Sequence, residues 1–264
     1  MNLLVLGVDG LCPDRAKEMG YPKMPYERKL TIPRELYFKD NPHTLKIWPS
    51  IFHGQAIDLD LRKVLDSMYE RDTLDYKLKQ FLIKIGVRKI LKKAKVNYRK
   101  AVPKNVGMQW RAYPSSFGLE TIMDHYDSLS WNIPGLDPEC IVGYPDLDLI
   151  VPYLKREFEN WKHITRGMCL RPRRLNVAYT HIIDGLSHRE QPLDPFYLDI
   201  SNHVKKLSHL TDIEIMLVSD HGATADGRHT EHAYIGCTRP VNADTVLDIR
   251  KDMERILEAG PGDD

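Results

Sequence analysis

The stretch LLVLGVDG, residues 3–10, decides the fold. Leu3 to Val8 is a short uninterrupted apolar run, the pattern of a strand buried on both faces, and it stops at Asp9. The run is far too short to cross a bilayer and lacks a charged leader and a cleavage site, so it reads as a strand and not a signal peptide. Two further stretches repeat the pattern. Leu175 to Thr180 runs through His181-Ile182-Ile183 into Asp184, and Glu214 to Ser219 runs into Asp220-His221-Gly222.

Working outward, Ser128 to Ile133 and Ala233 to Cys237 read as further strands. Helical periodicity is expected near Ser50, over Leu147 to Trp161, over Pro195 to Leu207 and over Ala243 to Leu257. In the last of these Val246, Ile249, Met253, Ile256 and Leu257 fall at helical spacing, and Gly260-Pro261-Gly262 ends it. Short Val, Ile and Leu runs alternating with amphipathic helices predict an α/β fold with a mainly parallel central sheet flanked by helices. One domain over residues 1–264 is expected, interrupted at about 57–125 by a helical, basic insertion. Within it, Lys84 to Lys104 carries nine Lys or Arg and no acid. Such a run is a solvated helix face, or a patch that draws a phosphorylated substrate, an anionic membrane or nucleic acid.

Composition narrows the class. A chain with 42% hydrophobic and 28% charged residues and a formal charge of +1 is an ordinary globular protein, with no overall excess of charge that calls for nucleic acid. No apolar stretch approaches a membrane span. Cys12, Cys140, Cys169 and Cys237 lie far apart without CxxC spacing, which suggests a reducing, cytoplasmic setting.

The chemistry concentrates at the ends of the strands. Seven of the eleven histidines fall between His181 and His232. Ligands of open α/β sheets gather beyond the carboxyl ends of the strands, so Asp9, Asp184 and Asp220 can converge although they are distant in sequence. Asp184 and His188 stand in a D-x-x-x-H spacing, with Gly185 expected to turn the backbone sharply after the strand. Adjacent Asp220 and His221 can face neighbouring ions, and Gly222 permits close approach of backbone. Mixed carboxylate and imidazole donors suit zinc or manganese better than calcium, and there are enough of them for two divalent ions.

In this order, with a hydroxyl residue before a helix and a late histidine, these residues resemble the alkaline phosphatase superfamily. Within it the chain looks most like the type I phosphodiesterase and nucleotide pyrophosphatase branch. The resemblance covers residues 1–56 and about 128–250, and it implies an alkaline-phosphatase-like α/β/α sandwich. It further implies one metal held by Asp184, His188 and a late histidine, and another held by Asp9, Asp220 and His221. His229 fits the late position better than His232. For the nucleophile, the family spacing of ten residues to a helix-ending glycine, here Gly54, selects Thr44 over Ser50 in Trp48-Pro49-Ser50. The chain departs from the family at Lys46, Ile47 and His53, and Lys46 becomes a candidate contact for a phosphoryl oxygen.

The activity implied is a two-metal phosphoric ester hydrolase of phosphodiesterase type, acting through Thr44 and a phosphothreonine intermediate. Its substrate would be a small phosphorylated molecule, with nucleotides among the candidates. A phosphomonoesterase or phosphomutase of the same superfamily, and a catalytically silent metal-stabilised binding protein, are the alternatives.

Overall fold

The computed structural model describes residues 1–58, 120–134, 136 and 150–259. The expected basic insertion falls almost wholly on residues 59–119, outside the described residues, as do Cys140, Leu147 and the Gly260-Pro261-Gly262 terminator.

Strand β1, Leu3–Val8, is buried at every position and lies in the middle of a six-stranded sheet. On one side it pairs in parallel with Leu175–Thr180, which in turn pairs in parallel with Ser128–Trp131. On the other side it pairs in parallel with Glu214–Val218. Beyond that lies His232–Cys237, antiparallel to its neighbour, and at the edge Tyr26–Thr31, antiparallel again. Numbered along the chain, these strands are β1 (Leu3–Val8), β2 (Tyr26–Thr31), β5 (Ser128–Trp131), β6 (Leu175–Thr180), β7 (Glu214–Val218) and β8 (His232–Cys237). A small hairpin joins β3 (Tyr37–Phe38) to β4 (Asn41–Pro42). The sheet order is β2-β8-β7-β1-β6-β5.

Successive side chains of a strand face opposite ways, so β1 supplies two cores. Leu3 and Val5 join Val177, Tyr179, Met216 and Val218 against α2 (Thr44–His53) and α7 (Ile249–Glu258). Leu4, Leu6 and Val8 join Ala178, Ile215 and Leu217 against α4 (Ile150–Leu170), α5 (Ile182–Ser187) and α6 (Asp194–Ser208). Helices thus cover both faces, the arrangement that continuous apolar strands require. Two short helices, α1 (Pro13–Met19) and α3 (Ile122–His125), complete the described set.

The structure differs from the expected elements in detail. The predicted helix over Ala243 to Leu257 opens with a 3-10 turn at Val246–Asp248, closed by a Thr245 and Asp248 capping box, before α7 begins. The edge strand β2 has no counterpart in the sequence reading. Its residues YERKLT bury only Leu30, so no apolar alternation marks it. Charged side chains on an edge strand also discourage pairing with another chain.

The described residues on either side of 59–119 meet at α7. Arg250 Nη1 on α7 donates to the carbonyl of His53 at 3.1 Å and to that of Glu120 at 3.3 Å. His53 Nδ1 lies 3.2 Å from the same Glu120 carbonyl. Among the described residues no helix is long and apolar enough to cross a membrane.

Candidate metal centre

The parallel strands β1, β6 and β7 all end at the same edge of the sheet, and each releases a carboxylate there. Asp9 follows β1, its amide bonded to the Thr180 carbonyl of β6 at 2.9 Å. Asp184 sits in the first turn of α5, and its own amide reaches the Asp9 carbonyl at 3.2 Å. One helical turn later, His188 returns to Asp184, with Nε2 3.3 Å from Oδ2. Asp220 and His221, which follow β7, are completely buried. Because β8 runs antiparallel to β7, the connection between them stays at this edge, and His229 in that connection reaches Asp184 Oδ1 at 3.3 Å.

Six expected ligands therefore meet. His229 Nε2 lies 3.3 Å from His188 Nε2, completing a group with Asp184. His221 Nε2 lies 3.3 Å from Asp9 Oδ1 and 3.4 Å from Asp220 Oδ2. Asp184 also groups with Asp9 and His221, so its carboxylate borders both halves of the cluster. The His221 and His229 rings stack at 3.9 Å between centroids. His232, the alternative late histidine, begins β8 beside Thr31 and belongs to neither group.

Thr44 arrives on the first residue of α2, where His43 is the N-cap and its Nδ1 accepts from the amide of Leu45. Thr44 Oγ1 stands 3.2 Å from His221 Nε2. Gly54 ends this helix in the left-handed conformation, φ 70°. Ser50, by contrast, is wholly buried, donating to the Lys46 carbonyl at 2.6 Å and accepting from the amide of Ile57 at 3.0 Å. Lys46 Nζ is engaged by the carbonyl of Glu35, which leaves little support for a role at the cluster.

The glycines behave differently from one another. Gly222 admits close approach, since a Cβ there would lie 2.5 Å from Thr230 Oγ1 and 2.8 Å from Cys12 Cα. The sharp turn expected at Gly185 does not occur. Gly185 is helical, within α5, and its missing side chain lets α5 pack onto α4, where a Cβ would meet Leu154 Cδ2 at 2.7 Å.

Donor chemistry shows whether the cluster fits metal ions. A backbone carbonyl only accepts, so the contacts of His221 Nδ1 with Gly222 O at 3.2 Å and of His229 Nδ1 with Pro42 O at 3.0 Å place the proton on Nδ1 in both rings. The neutral His221 ring, which burial pushes down to about 3, then turns an Nε2 lone pair toward Asp9 and Asp220, the arrangement of a metal-binding imidazole. At His229, by contrast, the hydrogen bond and charge of Asp184 overcome burial and hold the imidazole up at about 9. Asp9 Oδ1 and both Asp220 oxygens are buried without a hydrogen-bond donor. Three buried carboxylates at such separations repel one another unless cations or protons intervene.

The side chains alone express this strain. Burial, then the Asp184 charge, pushes the Asp9 carboxyl up to about 7. Burial and Asp9 raise Asp220 well above the usual range. Burial also opposes ionisation of Asp184, but hydrogen bonds from His188 and His229 outweigh it and hold that carboxyl below the usual range. The two halves differ in exposure: Asp9, Asp220 and His221 side chains are 0–3% exposed, whereas His188 is 38% and His229 19% exposed.

Two neighbours escaped the sequence reading. Tyr179 Oη donates to Asp9 Oδ2 at 2.5 Å, and its ring meets the Trp48 indole edge to face at 5.2 Å. In LNVAYT an aromatic residue reads only as core. His43 packs edge-on against Phe38, and burial with the nearby His229 lowers its imidazole to about 4. No family model matches the chain, and no curated protein matches it.

Proposed function

We propose that the chain is a two-metal phosphoric ester hydrolase of the phosphodiesterase or nucleotide pyrophosphatase type, built on an alkaline-phosphatase-like α/β/α core. The supporting observation is the position of Thr44 Oγ1, 3.2 Å from His221 Nε2, beside the cluster of six candidate ligand side chains. Asp184, His188 and His229 would hold one divalent ion, and Asp9, Asp220 and His221 the other. Zinc suits the mixed nitrogen and oxygen donors, and manganese is also accommodated. When bound, such a pair supplies Lewis-acid neutralisation of charge on the attacking and leaving oxygens of a phosphoryl transfer.

The chain's own groups do the rest. Thr44 is the nucleophile: its Oγ1 loses a proton and forms a bond to phosphorus, the ester oxygen departs and takes up a proton as the alcohol, and the chain carries a phosphothreonine. Water then attacks the same phosphorus, releases phosphate or a phosphomonoester and restores the Thr44 hydroxyl. Tyr179 holds Asp9 in one orientation throughout. The more open group around His188 and His229 faces the departing alcohol, and the sealed group around Asp220 faces Thr44.

The test pairs elemental analysis with hydrolysis of bis-p-nitrophenyl phosphate and p-nitrophenyl phosphate. Two ions per chain and faster cleavage of the diester are expected. Thr44→Ala should retain both ions and lose at least about a thousandfold in kcat, as removal of a covalent nucleophile does. Preference for the monoester would move the assignment to a phosphomonoesterase or mutase. Two bound ions with neither ester cleaved would leave a binding protein and sink the hydrolase reading.

A further inference from the structure

Helix α4 turns Leu154, Phe158, Trp161, Thr165 and Met168 inward, and on the same buried stripe, 6% exposed, stands Glu157. An acid in an apolar stripe carries a desolvation cost that a leucine would not, so its presence there calls for a reason. Its two oxygens reach two different strand exits. Thr180 Oγ1, the last residue of β6, donates to Oε2 at 2.9 Å, and Asn132 Nδ2, just past β5, donates to Oε1 at 3.2 Å. Asn132 is held at φ 62°, a left-handed conformation uncommon outside glycine. His181 Nδ1 lies 3.8 Å from Oε2, closing the cluster.

These contacts lie one bond from the candidate metal centre on three sides. The Thr180 carbonyl receives the Asp9 amide, and the His181 carbonyl receives the Gly185 amide at 2.8 Å, which fixes the turn of α5 carrying Asp184. Tyr179, the partner of Asp9, precedes Thr180 and stacks on the His181 ring with 6.2 Å between centroids.

We propose that Glu157 is a positioning residue for the catalytic cluster: its buried carboxyl clamps the exit of β6 to the exit of β5 and thereby sets the backbone that delivers Asp9, Tyr179 and Asp184. Burial holds this carboxyl up at about 8 despite the bonds from Thr180 and Asn132, so the clamp favours its neutral form. The catalytic half of the proposal rests on the hydrolase reading, and the geometric half does not.

The experiment compares Glu157→Leu, Glu157→Gln and Thr180→Val in the full chain by amide hydrogen exchange, zinc affinity and ester hydrolysis. In Glu157→Leu the Asp9 and Gly185 amides should exchange at least about tenfold faster while the Leu4, Val5 and Leu6 amides of β1 keep their protection. Zinc affinity should fall about 10- to 100-fold, as when a group supporting a metal ligand is lost, with kcat reduced and KM unchanged. Glu157→Gln, which keeps an acceptor for Thr180, should stay within about threefold of the parent in every measure. Thr180→Val, a smaller perturbation, should show the Asp9 effect if Glu157→Leu fails to fold. Unchanged Asp9 and Gly185 exchange in a folded variant would overturn the proposal, as would uniform acceleration across β1. Selective loosening in a chain that neither binds zinc nor cleaves ester would keep the clamp and discard the hydrolase reading.

Discussion

Glu157 is the one acid on the inward stripe of α4, and its environment makes a pH prediction with a definite sign. Its carboxyl rises from 4.5 to about 8 because burial disfavours the charged form. Between those values the folded chain binds a proton that the unfolded chain has released, so this group's contribution is greatest below pH 4.5 and is lost as pH rises through about 8. Glu157→Gln removes the titration. Its stability relative to the parent should climb by up to about 1.4 kcal/mol per pH unit over that interval and then level off. Urea unfolding of both proteins at several pH values, with chelator present, measures the difference, and a decline instead of a climb would contradict the burial. The same residue shows a limit of reading from sequence. A glutamate in the run REFENW reads as a solvated helix position, because only the packing of α4 against β5 and β6 shows that it faces inward.

At the scale of elements, α5 is the piece that carries Asp184, and its seat on α4 depends on the absent side chain of Gly185. Gly185→Ala would drive a methyl to 2.7 Å from Leu154 Cδ2, so either Leu154 changes rotamer or α5 lifts. Overpacking of this kind costs about 1–3 kcal/mol, more than the helix propensity gained by alanine restores. Denaturant midpoints should show the loss, together with weaker zinc binding if α5 moves. Sequence reading identified β1, β6 and β7 because each is a short, mainly apolar run with a carboxylate soon after it, the pattern that burial on both faces favours. It located Asp9, Asp184 and Asp220 for the same reason. It missed β2, where charged residues take the edge, and Tyr179, whose hydroxyl is recognisable only once β1 and β6 are paired in register as Gly7 with Tyr179 and Val8 with Thr180.

For the molecule as a whole, the carboxyl edge of the sheet gathers Asp9, Asp184 and Asp220 in a buried site that burial and mutual repulsion oppose. Ions that bind only the folded chain stabilise it by mass action, about 4 kcal/mol at a thousand times the dissociation constant. Calorimetric unfolding should therefore show Tm falling on chelation and recovering with added zinc, and the recovery should vanish in Asp184→Asn. A Tm indifferent to chelator and zinc would argue against both ion sites.

Arg250 has a bearing on how such a molecule can change over generations. By holding His53 and Glu120 to one guanidinium, α7 keeps the described residues on either side of 59–119 close together, at the opposite end of α2 from Thr44. Closely spaced chain ends are the usual condition for exchanging one insert for another without disturbing the host domain. Replacing residues 59–119 with a short Gly-Ser linker should then leave the sheet and the six candidate ligands in place, which circular dichroism and zinc titration of both chains can check.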